Sequence, residues 1–141
     1  IYFRSNCEKD ISKPFWKRGN RNLFTTTLIA ESNTYHVNNV TYLQYLEQAR
    51  HEIYALYYTN GIEPLVAHIS ADYKREVFNK EPLTIHTKTE KIGNSSVTLK
   101  QEIYTKNNEL VLSATVVIVA IDRNTRKKVR VPEAIREKLL N

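Results

Sequence analysis

The sequence predicts an α+β domain in which an antiparallel sheet wraps around one long central helix. Three observations carry that expectation. Val40, Leu43, Leu46, Ala49, Ile53 and Leu56 recur every three or four residues, which places them on one face of a helix. That helix spans about 20 residues, against an average near 12. The stretches before and after it alternate with the two-residue period of strands. Nothing divides the 141 residues, since there is no Pro/Gly/Ser-rich linker, repeat or low-complexity run. A chain of this length can bury one substantial core.

Residues 1–21 read as an N-terminal arm ahead of a single domain at 22–141. Within the arm, the opening Ile-Tyr-Phe-Arg-Ser-Asn resembles the scar of a cleavable purification tag and is set aside. Asn22 to Glu31 follows as the first strand, with Phe24, Thr26, Leu28 and Ala30 on one side. After a turn at Ser32 to Tyr35, Asn38 or Asn39 can cap the long helix by accepting a bond from a free N–H of its first turn. Gly61, after Asn60, can end the helix in the left-handed conformation. Ile62 to Leu65 reads as a connection broken by Pro64, and Val66 to Glu76 as the second strand. Asn79 to Pro82 turns the chain. Leu83 to Lys91 and Ser96 to Lys106 form a pair joined by Gly93-Asn94, and Asn107-Asn108 makes the next turn. Glu109 to Asp122 is the most apolar strand, which predicts burial on both of its faces. Pro132 opens a short helix from Glu133 to Leu140, because proline suits a first helical turn.

The net charge of +6 is unevenly placed. Residues 1–21 carry six basic residues against Glu8 and Asp10, and residues 123–130 carry five with no acid. Such runs are either solvated loops or binding sites for an anionic, phosphate-bearing ligand. Phe15 and Trp16 are too few to form a stacking platform, so nucleic acid is not an expected partner. The longest apolar run, Val111 to Ile121, contains Ser113 and Thr115 and falls short of the roughly 20 residues of a membrane span. A single cysteine, Cys7, excludes an internal disulfide, and no Cys/His cluster has zinc-ligand spacing. With no secretory signal visible, a cytoplasmic protein without metal or cofactor is expected.

The run His36-Val37-Asn38-Asn39, followed by Tyr42, Tyr45, Glu47, Ala49 and Arg50, resembles the signature of hotdog-fold thioesterases. The nearest groups are the 4-hydroxybenzoyl-CoA thioesterase-like hydrolases and the plant acyl-carrier-protein thioesterases. The resemblance extends over about residues 22–140, through Ser70-Ala71-Asp72-Tyr73 and the closing Arg130-Val131-Pro132. It implies a curved antiparallel sheet around the helix and a homodimer or homotetramer. It also implies an acyl-CoA or acyl-carrier-protein substrate held at the subunit interface near the helix N-terminus. One position departs from the family. Its usual Asp, four residues before the histidine, is Ser32 here, and the Asn that the plant enzymes place two before the histidine is Thr34.

Thioester hydrolysis needs a nucleophile or a base for water, and donors for the oxyanion. A helix N-terminus offers free N–H groups at the positive end of its dipole. The amides of Val37 to Val40 are therefore candidate donors, with Val37, Asn38, Asn39 and Tyr42 as substrate contacts. His36 either holds water or the thioester oxygen, or ties the turn together. Ser32 is the candidate nucleophile with His36 as its base. Glu47, expected to be partly buried among Leu43, Leu46 and Ala49, is either a base or an ion-pair partner of Arg50, and Glu31 is the runner-up carboxylate. Arg126 and Lys127 are the candidate phosphate contacts. The alternative function is a catalytically weak hotdog protein that binds acyl thioesters or a protein partner.

Overall fold

The structure, a computed structural model, describes residues 23–140. The proposed arm at 1–21, with its tag-like start, lies outside the described residues. The elements run β1 (Leu23–Ile29), α1 (Asn39–Ala49), α2 (His51–Thr59), β2 (Ile62–Tyr73), β3 (Pro82–Ile92), β4 (Ser96–Thr105), β5 (Leu110–Asp122) and α3 (Glu133–Leu140). All strand pairs are antiparallel, in the order β1-β3-β4-β5-β2. The α+β architecture expected from the sequence is therefore present. No described helix is long and apolar enough to cross a membrane.

The single long helix is in fact two. It is interrupted at Arg50, whose N–H bonds the Glu47 carbonyl at 2.9 Å in a tighter, three-residue turn. No proline or glycine causes the break. It coincides with burial of the Arg50 side chain beneath the helix, where Nη1 donates to Gln101 Oε1 at 2.9 Å and Nε to the Tyr54 hydroxyl at 2.7 Å. Gln101 in turn donates to the Leu46 carbonyl and to Thr87. The buried stripe also differs from the expected one: it is Tyr42, Leu46, Ala49, Ile53 and Tyr57, while Val40 is 58% exposed. Tyr42 pays for its burial with a bond from the Val77 N–H, at 3.1 Å. α1 closes one half of the core over Leu83, Ile85, Ile103 and Leu112. α2 and α3 close the other half over Val97, Leu99, Val116 and Ile118.

Pro64 does not break a connection but lies inside β2. Two facts make it tolerable there. β2 is an edge strand, and the opposing Ala120 spends its own N–H and C=O on Ser95 and Val129. The β3–β4 turn closes between the Gly93 N–H and the Ser96 carbonyl, which puts Asn94 and Ser95 at its tip. β5 buries Leu112, Ala114, Val116, Ile118 and Ala120 toward the helices; at the alternate positions Val111, Ser113 and Ile121 are also buried and Thr115, Val117 and Val119 are half-buried. Burial on both faces is thus met along the helix-facing side and at the two ends of the other, whose middle is partly open. Gly61 ends α2 at φ 73° as expected, and α3 begins directly after Pro132.

Candidate functional site

The site is built where the β1–α1 turn is stitched to the segment after β2. The Val37 N–H donates to the Val77 carbonyl at 2.9 Å, and His36 pairs with Phe78 in an isolated antiparallel bridge. From the other side, the Lys74 N–H bonds the Val111 carbonyl at 2.7 Å. The turn itself is fixed by Ser32, whose N–H bonds Asn79 Oδ1 at 2.9 Å, and by Tyr45, whose hydroxyl accepts the Glu31 N–H at 3.1 Å. Asn38 caps α1: its Oδ1 accepts both the N–H and the hydroxyl of Thr41.

This stitching decides which groups remain free for chemistry. The Val37 amide is spent on Val77, so it is not an oxyanion donor as expected. The Asn39 and Val40 amides have no acceptor among the described residues and sit in the first turn of α1. Ser32 and His36 do not form a nucleophile–base pair. The Ser32 hydroxyl donates to the His36 backbone carbonyl at 2.8 Å, where the Thr34 hydroxyl also donates at 3.0 Å. The His36 ring instead places Nδ1 3.1 Å from the Val37 carbonyl. A carbonyl only accepts, so Nδ1 carries the proton and Nε2 keeps its lone pair in the neutral ring.

Two open clefts flank the α1 tip, with Asn38 lining both. Ser32, Glu31, Thr34 and Tyr45 line one of about 580 Å³. His36, Asn39, Tyr42, Tyr73 and Glu76 line the other, of about 440 Å³. In the second cleft Tyr73 meets Tyr42 edge-on, with ring centroids 5.5 Å apart. Burial, more than any neighbouring charge, pushes the Tyr42 phenol above its ordinary pKa, so it stays protonated.

The remaining expected residues lie elsewhere in the protomer. Glu47 is exposed rather than partly buried, because it falls on the flank of α1 facing β2 and lines a groove with Val40, Leu43, Arg50 and Ile69. It stands eight residues along α1 from Asn39, or about 12 Å, and makes no ion pair with Arg50. Arg126 and Lys127 occupy the turn after β5, and Arg126 pairs with Glu63. Asp122 lies opposite Ile62, whereas Leu112 lies opposite Tyr73 beside the α1 tip. Ten residues of strand, about 33 Å, therefore separate that turn from the tip within one protomer. Reasoning from sequence did not identify Tyr73, Tyr45 or Glu76 as site residues. Tyr45 stood in the signature run after His36 and Tyr73 in Ser70-Ala71-Asp72-Tyr73, whereas Glu76 carried no signal.

Comparison with known proteins identifies the family. Residues 30–139 match the thioesterase-like superfamily. The chain is 30% identical over 111 residues to the long-chain acyl-CoA thioesterase FadM of Escherichia coli, covering 74% of this chain and 84% of that protein. A predicted thioesterase from Bacillus stearothermophilus superposes with a TM-score of 0.75 at 27% identity, covering 83% and 93% of the two chains. The probable thioesterase YbaW of Escherichia coli superposes with a TM-score of 0.73 at 25% identity, covering 84% and 99%. With its antiparallel sheet, its helix tip and this match over most of its length, the chain belongs to the thioesterase-like superfamily of thioester hydrolases.

Proposed function

We propose that this protein hydrolyses acyl-CoA thioesters, with the scissile carbonyl held at the tip of α1 in the cleft that His36 lines. The observation that carries this reading is the pair of unspent amides at Asn39 and Val40, beside an imidazole whose Nε2 is free. Fixed N–H groups at a helix N-terminus stabilise the charge that develops on a thioester oxygen, and removing one such donor typically costs about 10²–10³ in rate. Acyl-CoA is favoured over an acyl-carrier-protein thioester because the relative FadM acts on long-chain acyl-CoA.

The site is completed by a second protomer. β2 is a 12-residue edge strand with Leu65 and Val66 exposed, a surface that invites pairing with another copy. Antiparallel β2–β2 pairing about a two-fold axis brings the partner's turn, with its own Arg126 and Lys127, to the end of the sheet where α1 begins. Those cations then meet the CoA phosphates.

A second reading is supported by Ser32. Its hydroxyl proton is committed to the His36 carbonyl, which fits a protein that binds acyl thioesters without turning them over. One assay separates the two: acyl-CoAs of several chain lengths are incubated with the protein and released thiol is measured. Turnover that is largely lost in His36→Ala supports the hydrolase. Binding without turnover of any acyl-CoA overturns it in favour of the binder.

A further inference from the structure

We propose that the chain ahead of β1 docks on the outer face of its own sheet, seating its Phe15-Trp16-Lys17-Arg18 stretch over the row that holds Glu102. The inference is independent of the hydrolase reading. The row runs straight across the sheet: Thr25, His86, Glu102, Ser113 and Asp72 oppose one another on successive strands. It points away from the helices, whose core takes the alternate residues Ile85, Leu99, Ile103 and Leu112.

Burial along this row peaks in the middle. Thr25 and Asp72, at the two edges, are exposed, whereas His86 and Ser113 are 6% exposed and Glu102 is 0%. Tyr104, on the same face of β4, is 5% exposed. A side chain on an open sheet face stands out into water, so a polar row buried this deeply lies under a cover. The described helices pack on the opposite face. The cover is therefore a segment outside the described residues, narrow enough to leave both sheet edges open.

Attachment, length and chemistry select the chain's own N-terminal segment. Leu23, the first residue of β1, opposes Lys88, which stands two residues from His86 on the same face of β3. Ser113 lies three strands over from β1, or about 14 Å. Arg18 to Phe15 stand five to eight residues ahead of Leu23, an extended reach of about 16–26 Å. The Tyr104 hydroxyl donates to Glu102 Oε1 at 2.9 Å, but Glu102 Oε2 is buried without a hydrogen-bond partner. Leaving such an oxygen unpaired is costly, and residues 7–22 carry five basic residues against two acidic ones. Lys17 and Arg18 bring donors, while Phe15 and Trp16 bring the apolar surface that excludes water. A segment tethered beside the face also has an effective concentration that a separate partner lacks.

Trp16 is the sole tryptophan of the chain, so arm and face are read separately in the full-length protein. Acrylamide quenching of tryptophan fluorescence reads the arm. Diethylpyrocarbonate modification of His86, located by peptide mass, reads the face. Burial pushes the His86 pKa down to about 4, so at pH 7 the ring is neutral and reacts once reagent reaches it. In wild type, Trp16 should be quenched several-fold less steeply than in the urea-unfolded chain. His86 should react about tenfold more slowly than the exposed His68. Ser113→Arg puts a long cation under the segment and against Glu102, and should raise both signals together. Lys17→Glu with Arg18→Glu alters no residue of the sheet and should do the same, so a misfolded Ser113→Arg does not end the test. Quenching of Trp16 in the folded wild type as steep as in urea overturns the proposal. So does a protected Trp16 that neither variant changes, since the segment then docks elsewhere. A slow His86 beside a freely quenched Trp16 also overturns it, and gives the cover to a second copy of the chain.

Discussion

At Ser32 a single hydroxyl proton separates two chemistries. A serine nucleophile needs a base to take its proton, but this proton is donated to a backbone carbonyl while the imidazole faces elsewhere. The same hydroxyl accepts the Thr34 N–H at 3.1 Å, so Ser32→Ala is expected to cost about 1–3 kcal/mol of stability, the net worth of two hydrogen bonds. The Thr34 hydroxyl, still on the same carbonyl, keeps the loss near the lower end. Urea unfolding measures that cost, and kcat on an acyl-CoA should stay close to wild type. A thousandfold loss of rate would instead make Ser32 the nucleophile. Two other residues contribute opposite pH dependences to the stability of the fold. His86 and Glu102 oppose each other on the outer face of β3 and β4, and both are buried. Burial lowers the His86 pKa to about 4 from 6.5. The unfolded chain then binds the extra proton first, so stability is lost as pH falls from 6.5 toward 4. Burial raises the Glu102 pKa above 4.5, even though Tyr104 donates to its Oε1 at 2.9 Å. Its contribution is complete below 4.5 and is lost as pH rises through the folded value. Melting temperatures across pH should therefore diverge in opposite directions. Glu102→Gln should gain on wild type as pH rises above 4.5, and His86→Gln as pH falls below 6.5. Offsets that do not vary with pH would refute both assignments.

Among the elements, the tip of α1 is where the proposed chemistry rests on the shortest stretch of sequence. Asn38 holds the Thr41 N–H so that the free donors are those of Asn39 and Val40. Asn38→Ala should cost about 1 kcal/mol, and Asn38→Asp should recover it by keeping the acceptor and adding a charge that suits the dipole. Chemical denaturation of the two variants checks this, and equal losses in both would mean that the cap is not what Asn38 supplies. Local features of this kind were legible in the sequence: the cap, Gly61 at the end of α2, the Asn107-Asn108 turn and α3 behind Pro132 all rest on residues close together in the chain. What was misread rests on partners far away. Tyr42 and Tyr57 were absent from the expected buried stripe of the helix, but both are buried, and Val77, 35 positions on, gives the Tyr42 hydroxyl its partner. Pro64 looked like a breaker because the edge position of β2 follows from the strand order. The helix interruption at Arg50 coincides with that side chain's bond to Gln101 in β4, 51 positions on. In the same way His36 and the helix tip could be proposed from sequence, while Glu76 lines the cleft beside them only because residues 36–37 lie against 77–78.

For the molecule as a whole, the open question is which basic turn serves which site. Arg126 and Lys127 stand a strand's length from the α1 tip of their own protomer, so a phosphate role in cis conflicts with the register of β2 on β5. The proposed antiparallel joining of two β2 edges removes the conflict. It sets the Ile62 end of one β2 beside the Tyr73 end of the other, and the turn that follows Asp122 travels with the Ile62 end. Each site then takes His36 from one protomer and the basic turn from its partner. Complementation tests this directly. The double variant Arg126→Ala/Lys127→Ala and the single variant His36→Ala should each hydrolyse acyl-CoA poorly, and the double variant should be weakened most at low salt, where screening masks such contacts least. Unfolded together in equal amounts and refolded, half of the two-fold dimers should be mixed. A mixed dimer places an intact His36 against an intact partner turn at one of its two sites, so activity should return to about a quarter of the wild-type level. If histidine and turn instead served the same protomer, every site in the mixture would still carry one defect and no activity would return. Recovery on mixing would therefore require that the helix tip and the basic turn act across the subunit interface.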